Sequence, residues 1–107
     1  MTKELKKKWL DALRSGEYTQ GRGRLRYANQ YCCLGVLCDV VGYEWKEKEK
    51  NCFYSIAGTN WIKNEEIREE LGLSQEVQEK CYNMNDGTSG YKKHSFKKIA
   101  DWLEKNL

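Results

Sequence analysis

Apolar side chains recur at the spacing of one helix face both at the start of the chain and at its end. At the start, a threonine cap and a following glycine predict a helix at about residues 3–15. At the end, Ser95 caps a predicted helix that runs to the last residue. Two shorter helices are predicted between them, one from Asn64 to Gly72 and one that begins at Ser74. The polar run from Asn85 to Gly90 then predicts a loop.

Polar and apolar residues alternate after residue 21, and the helical spacing is lost there. Arginines at positions 22, 24 and 26 alternate with Leu25 and Tyr27, which predicts a strand over residues 22–27 and a turn at 28–30. Residues 46–50 predict a loop or an edge hairpin, and residues 52–56 predict a strand. We therefore expect one α+β domain over residues 1–107, with four to five helices packed on a small antiparallel sheet or hairpin pair.

The segment YCCLGVLCDVVG, residues 31–42, is the most apolar part of the chain and contains one acid, Asp39. Its leucines and its closing glycine favour a buried helix over a buried strand. An unpaired buried carboxylate is costly, so Asp39 either points to solvent or has polar partners. The nearest candidate partners in the sequence are Arg24 and Arg26.

Five cysteines raise the question of a metal or redox site. Zinc sites bring two cysteines close together and repeat the pair, whereas Cys33 and Cys38 have four residues between them and no second pair follows. The C-x-x-C spacing of redox motifs is absent, and His94 is the one histidine that could activate a cysteine. We therefore expect the cysteines in the core, with no metal and no cofactor. Since no catalytic motif is present either, we expect a protein that is not an enzyme.

The net charge of +3 permits an anionic partner but is low for a protein that coats DNA. No apolar run approaches the roughly 20 residues that span a bilayer, and no apolar region follows the basic start as in a secretory signal. We therefore expect a cytoplasmic protein without a membrane partner. Nucleic-acid binding ranks third among our hypotheses, and it would use the lysines of the first helix, Lys3, Lys6, Lys7 and Lys8.

The three arginines of QGRGRLRY are the strongest indication of a ligand. A guanidinium can bind two phosphate oxygens, and the neighbouring glycines would let backbone N–H groups approach an anion. Tyrosines on either side can stack on a base or close a pocket. The alternative interpretation is a solvated strand face. The candidate ligand-binding residues are Tyr18, Gln20, Arg22, Arg24, Arg26, Tyr31, Asp39, Asn85 and Asp86.

Four segments together resemble a family of small proteins encoded by tailed bacteriophages and prophages: WLDALRSGEYTQGRG, YCCLGVLCDVVG, LGLSQEVQEKCYNMND and SFKKIADWLEKNL. The pieces YCCLGVLCD and MND are the most specific. The resemblance implies a counter-defence role in the cytoplasm of a bacterial host. We expect a homo-oligomer that sequesters an anionic small molecule, such as a cyclic nucleotide or an ADP-ribose-like compound. The alternative is an inhibitor that binds a host enzyme directly, for instance through an exposed face that includes Trp45.

Overall fold

The computed structural model describes residues 1–45, 47–48, 53–54, 62 and 65–107. Within these ranges the chain forms five helices and five strands of two residues each. The helices are α1 (Lys3–Arg14), α2 (Cys33–Val40), α3 (Glu65–Leu71), α4 (Gln75–Asp86) and α5 (Phe96–Asn106). The strands are β1 (Thr19–Gln20), β2 (Arg26–Tyr27), β3 (Gln30–Tyr31), β4 (Glu47–Lys48) and β5 (Phe53–Tyr54).

The strands form one small sheet in the order β1-β3-β2-β5-β4. The α+β prediction is confirmed, with one difference: β1 pairs with β3 in parallel, while the other pairs are antiparallel. Pairing of β4 with β5 matches the edge hairpin predicted near residues 46–50. The predicted cap at Asn64 lies outside the described residues, as does most of the strand predicted at 52–56.

Helix α2 forms the centre of the core, as the apolar segment predicts. All six residues from Cys33 to Cys38 are buried, and α2 packs against α1 on one side and α4 on another. The indole N–H of Trp9 on α1 donates a hydrogen bond to the carbonyl of Cys33 at 2.9 Å, so this large side chain is buried with its polar atom satisfied. Cys32 and Cys81 are buried as well. Four cysteines therefore belong to the core, and Cys52 lies outside the described residues.

Gly35 allows α2 to pack directly on the backbone that leads into β2. A Cβ atom at position 35 would lie only 1.8 Å from the carbonyl oxygen of Leu25. Any side chain at this position would push the helix away from the preceding loop. The core helix and the arginine-bearing segment are therefore held in close contact.

Two sequence predictions near this segment are wrong. The strand predicted over residues 22–27 is reduced to Arg26–Tyr27, because Gly23 adopts a positive φ of 78° and the chain bends before β2. Asn85 and Asp86 do not begin a loop but complete α4, which ends at Gly87 with a positive φ of 73°. No helix in the described part of the chain is long and apolar enough to cross a membrane.

Candidate ligand-binding site

A surface cavity of about 210 Å³ opens beside the arginine loop, which comprises residues 21–25 between β1 and β2. We call this cavity the arginine pocket, and it is lined by Gly21, Arg22, Arg24, Tyr27 and Gln30. Arg22, Arg24 and Gln30 are exposed, and 43% of the Tyr27 surface is open to solvent. The pocket therefore combines two permanent positive charges with an open aromatic ring and a side-chain amide.

The wall of the arginine pocket is set by the pairing of β2 with β3. In this hairpin Tyr27 lies opposite Gln30, which brings the ring and the amide together at the same edge of the loop. The N–H of Gly21 donates to the carbonyl of Tyr31 at 2.8 Å and extends the pairing beyond β1. A Cβ atom at position 21 would lie 2.8 Å from the Cβ of Gln30, so only glycine lets the two segments approach this closely.

Asn85 anchors the base of the arginine loop from inside the protein, where its side chain is fully buried. Its amide nitrogen donates to the carbonyl of Gly21 and to the carboxylate of Asp86, both at 2.9 Å. Its oxygen accepts from the side chain of Gln20 at 2.9 Å and from the N–H of Cys33 at 3.2 Å. An asparagine amide offers two donors and two acceptor positions, and all four are used here. Asn85 thus ties β1, the arginine loop and the start of α2 to the end of α4.

Asp86 holds the middle of the arginine loop. One of its carboxylate oxygens accepts from the N–H of Gly23 at 3.0 Å. The expectation that the glycine N–H groups approach a ligand anion is therefore wrong for both glycines of the loop, because Gly21 donates to Tyr31 and Gly23 donates to Asp86. The charged donors that line the pocket are the guanidinium groups of Arg22 and Arg24.

Arg26 lies outside the arginine pocket and belongs to a second group of residues, which we call the aromatic cluster. The cluster comprises Tyr18, Arg26, Tyr31, Asp39 and Trp45. The guanidinium carbon of Arg26 lies 5.0 Å from the ring centroid of Tyr31 and 5.6 Å from that of Trp45, within the range of cation–π attraction. Its Nε donates to the carbonyl of Ala28 at 2.8 Å. The three arginines therefore do not share one face, which corrects the expectation from the sequence.

Asp39 is the polar centre of the aromatic cluster. Its two oxygens accept hydrogen bonds from the hydroxyl of Tyr18 at 2.5 Å and from the indole N–H of Trp45 at 3.0 Å. The carboxylate is half-buried and has two neutral donors in place of the arginine suggested by the sequence. Burial and then the hydrogen bond to Asp39 raise the pKa of Tyr18. Trp45 is likewise half-buried, and this argues against its use as an exposed docking residue.

The lysines of α1 are partly engaged within the protein. The ammonium of Lys6 donates to the backbone oxygens of Glu104 and Leu107 at the end of α5, at 3.1 and 2.9 Å. Lys7 pairs with Asp11 one turn further along the helix, at 2.7 Å. Two of the four lysines that the nucleic-acid hypothesis requires therefore have intramolecular partners.

The structure divides the nine candidate residues into three groups. Arg22 and Arg24 line the arginine pocket. Gln20, Asn85 and Asp86 hold the arginine loop, and the other four candidates belong to the aromatic cluster. Tyr27, one of the tyrosines that flank the arginines in the sequence, lines the pocket as a ring that could stack on a base. Gln30 also lines it, which a turn over residues 28–30 does not predict. A two-residue turn at Ala28 and Asn29 is the signal that points to Gln30, because it places Gln30 opposite Tyr27.

A metal site is not found in the described residues, where no three His, Cys, Asp or Glu side chains lie close enough together to hold an ion. The four described cysteines are each buried, and burial raises the pKa of the Cys32, Cys33 and Cys38 thiols. The thiolate forms that would bind a metal or attack a substrate are thereby disfavoured at these three positions.

Comparison with curated proteins and with solved structures finds no match. One family model, described as a domain of unknown function (DUF8296), matches residues 1–79. The match contains every residue that lines the arginine pocket, the whole aromatic cluster and helix α2, and it ends within α4 before Asn85. Because the match covers most of the chain, the protein belongs to the DUF8296 family.

Proposed function

We propose that this protein binds a phosphorylated small molecule in the arginine pocket and leaves it chemically unchanged. The observation that carries the proposal is the lining of one cavity by Arg22, Arg24, Tyr27 and Gln30. Guanidinium groups bind phosphate oxygens through two parallel hydrogen bonds. An exposed ring and an amide beside them suit the flat face and the polar edge of a nucleobase.

The volume of the pocket limits which part of a ligand it can enclose. Sites that enclose a whole drug-sized ligand measure roughly 300–1,000 Å³. At about 210 Å³ the arginine pocket is smaller than these. It suits a phosphate or pyrophosphate with part of the attached sugar. The base of a nucleotide would lie at the rim, against the exposed ring of Tyr27.

The arginine loop is held in place by the protein, which favours binding. Three hydrogen bonds fix the loop on both sides of Arg22. The N–H of Gly21 donates to Tyr31, the carbonyl of Gly21 accepts from Asn85, and the N–H of Gly23 donates to Asp86. Less conformational freedom is then lost when a ligand binds. In the part of the chain that the structure describes, Arg22 forms no ion pair. Its charge is therefore available to a ligand.

The resemblance to phage-encoded proteins suggests the biological setting that we propose. In that setting the protein withdraws a nucleotide-derived defence signal in the cytoplasm of a bacterial host. Sequestration requires affinity and no chemical step. Charge, ring stacking and an amide hydrogen bond are contacts that supply affinity alone.

Isothermal titration calorimetry with pyrophosphate, ADP, ADP-ribose and a cyclic dinucleotide tests the proposal. We expect at least one of these to bind, and the double variant Arg22→Ala/Arg24→Ala to bind it at least about tenfold more weakly, since two charge-assisted contacts are lost. The control Lys97→Ala/Lys98→Ala removes two exposed charges of α5 that do not line the pocket, and its affinity should stay within about twofold of the wild type.

Two results would contradict the proposal. One is the absence of binding heat with all four compounds. The other is equal affinity in the wild type and in the double arginine variant. Mass spectrometry of the ligand recovered after the titration checks the second part of the claim, and an altered mass would show that the protein is an enzyme.

A further inference from the structure

The side-chain amide of Gln30 differs from those of the other glutamines in the chain. Gln20, Gln75 and Gln78 each form side-chain hydrogen bonds within the protein. In the part of the chain that the structure describes, the side chain of Gln30 forms none, although it lines the arginine pocket. The donor and the acceptor of this amide are therefore both available to a ligand.

Two relationships locate the amide of Gln30 within the pocket. A Cβ atom at position 21 would lie 2.8 Å from the Cβ of Gln30 and 3.4 Å from its Oε1, so the side chain lies over Gly21 at the start of the arginine loop. Pairing of β2 with β3 places Gln30 opposite Tyr27. The Cβ atoms of opposite residues in such a pair are about 4.5–5.5 Å apart, on the same face of the strands. The amide is therefore close to both the arginine loop and the open ring of Tyr27.

The groups that line the pocket differ in what they can recognise. Arg22 and Arg24 suit the phosphate of any nucleotide, and the ring of Tyr27 can stack on any base because every base has a flat face. Bases differ in the donors and acceptors along their edges. An arginine side chain offers donors alone, whereas the amide of Gln30 offers a donor and an acceptor side by side. This pair matches the edge of adenine, where a ring nitrogen accepts and the amino group donates.

We propose that Gln30 reads the edge of the base and sets the base preference of the arginine pocket. The inference rests on the proposed function and narrows its ligand class to nucleotides, in place of sugar phosphates or inorganic phosphates that lack a base. The amide nitrogen of Gln30 donates to a ring nitrogen of adenine, and the amide oxygen accepts from the amino group. ADP should therefore bind more tightly than pyrophosphate.

ADP, GDP and pyrophosphate are the probes for this inference. The two nucleotides share the sugar and the diphosphate and differ in the base, and pyrophosphate has no base. The variant Gln30→Glu replaces the amide donor with a second acceptor. Guanine can donate to both carboxylate oxygens through its N1–H and its amino group, while adenine can donate through its amino group alone. We expect calorimetry to show a ratio of GDP affinity to ADP affinity about tenfold above the wild-type ratio.

The affinity ratio is the decisive quantity because the added charge of Gln30→Glu repels both nucleotides equally. Asn29→Asp is the control. Asn29 precedes Gln30 in the chain, is exposed and does not line the pocket. The control makes the same change from amide to carboxylate, and it should leave the ratio within about twofold of the wild type.

Gln30→Met tests the same role without adding a charge. Methionine has a similar length and lacks the amide, so both hydrogen bonds to the base are lost. We expect the affinity for ADP to fall about fivefold and the affinity for pyrophosphate to stay within about twofold of the wild type.

Failure of this inference can be told apart from failure of the proposed function. Suppose that ADP binds and that its binding depends on the arginines. An unchanged ratio in Gln30→Glu, wild-type ADP affinity in Gln30→Met, or pyrophosphate bound as tightly as ADP then overturns the role of Gln30 and leaves the binding function in place. If Gln30→Glu binds neither nucleotide, the ADP affinity of Gln30→Met decides. If the wild type binds none of the three probes, the proposed function is wrong and this inference is wrong with it.

Discussion

The side-chain amide of Asn85 donates a hydrogen bond to the carbonyl of Gly21, 2.9 Å away and 64 positions earlier in the chain. This contact joins the end of α4 to the beginning of the arginine loop. Because the Asn85 side chain is fully buried, water cannot replace it as a partner for that carbonyl. The shape of the arginine pocket therefore depends on a residue that does not line it.

Replacement of Asn85 with Ala should destabilise the whole protein. The change leaves the carbonyl of Gly21 and the N–H of Cys33 without their partner in a buried place, and each unsatisfied group costs about 1–3 kcal/mol. We expect the free energy of unfolding, measured by urea denaturation, to fall by about 3 kcal/mol. Asn83→Ala is the control, because Asn83 lies on the same helix but receives an exposed hydrogen bond from Thr88. A loss as large in the control as in Asn85→Ala would contradict the anchoring role.

The helices of this fold could be predicted because their signals are local. The side chains of Thr2, Ser74 and Ser95 accept hydrogen bonds from backbone N–H groups three residues later, as their places before apolar stripes indicate. Glycines at positions 16 and 72 adopt the positive φ expected after a helix end. Burial of α2 follows directly from its continuous apolar sequence.

The site could be predicted only in part, because its contacts join distant positions. Asn85 resembles a loop residue until its partners at Gly21 and Cys33 are known. Asp39 has donors at Tyr18 and Trp45, and no periodic pattern points to either. The alternation from Arg22 to Tyr27 resembles a strand, but the positive φ of Gly23 separates Arg22 and Arg24 from the paired residues.

Replacement of Gly35 with Ala tests the close contact between α2 and the arginine loop. The new methyl group would meet the carbonyl oxygen of Leu25 at 1.8 Å, and backbone atoms cannot move aside as a flexible side chain can. We expect a loss of about 3 kcal/mol or more in the free energy of unfolding. Gly42→Ala is the matched control: its Cβ would meet nothing within 4 Å, so only its positive φ of 84° is strained. The free energy of unfolding of Gly42→Ala should fall by about 1–2 kcal/mol. Equal losses in the two variants would contradict the packing.

Arg26→Ala separates the aromatic cluster from the arginine pocket. Because the guanidinium of Arg26 stacks on Tyr31 and Trp45, its removal should lower the free energy of unfolding by about 1 kcal/mol and leave ligand affinity within about twofold. Arg22→Ala should instead weaken ligand binding and change the free energy of unfolding by less than about 0.5 kcal/mol. Calorimetry and urea denaturation measure both quantities. If the two variants lost ligand affinity equally, Arg26 would belong to the ligand-binding site together with Arg22.

The hydroxyl of Tyr18 should make the protein sensitive to alkaline pH. Its pKa is raised in the folded state by burial and by Asp39, so the unfolded chain loses this proton first as the pH passes about 10. The free energy of unfolding should then fall with rising pH, by at most about 1.4 kcal/mol per pH unit from this group and by less where solvent screens it. Below that pH the group contributes no pH dependence.

Tyr18→Phe isolates this contribution. At pH 7 the variant should be less stable by about 1 kcal/mol, since one oxygen of Asp39 loses its donor. Above pH 10 its stability should decline less steeply than that of the wild type. The measurement is a series of urea denaturations between pH 7 and 11. Parallel declines in the two proteins would contradict the raised pKa of Tyr18.

The most direct test of the central claim is a titration of ¹⁵N-labelled protein with ADP, followed by amide chemical shifts. Binding in the arginine pocket predicts that the largest shifts occur at Gly21, Arg22, Arg24, Tyr27 and Gln30, and that they disappear in Arg22→Ala/Arg24→Ala. Shifts that concentrate instead along the groove between α1 and α5, at Lys3, Lys7 and Arg14, would contradict the account.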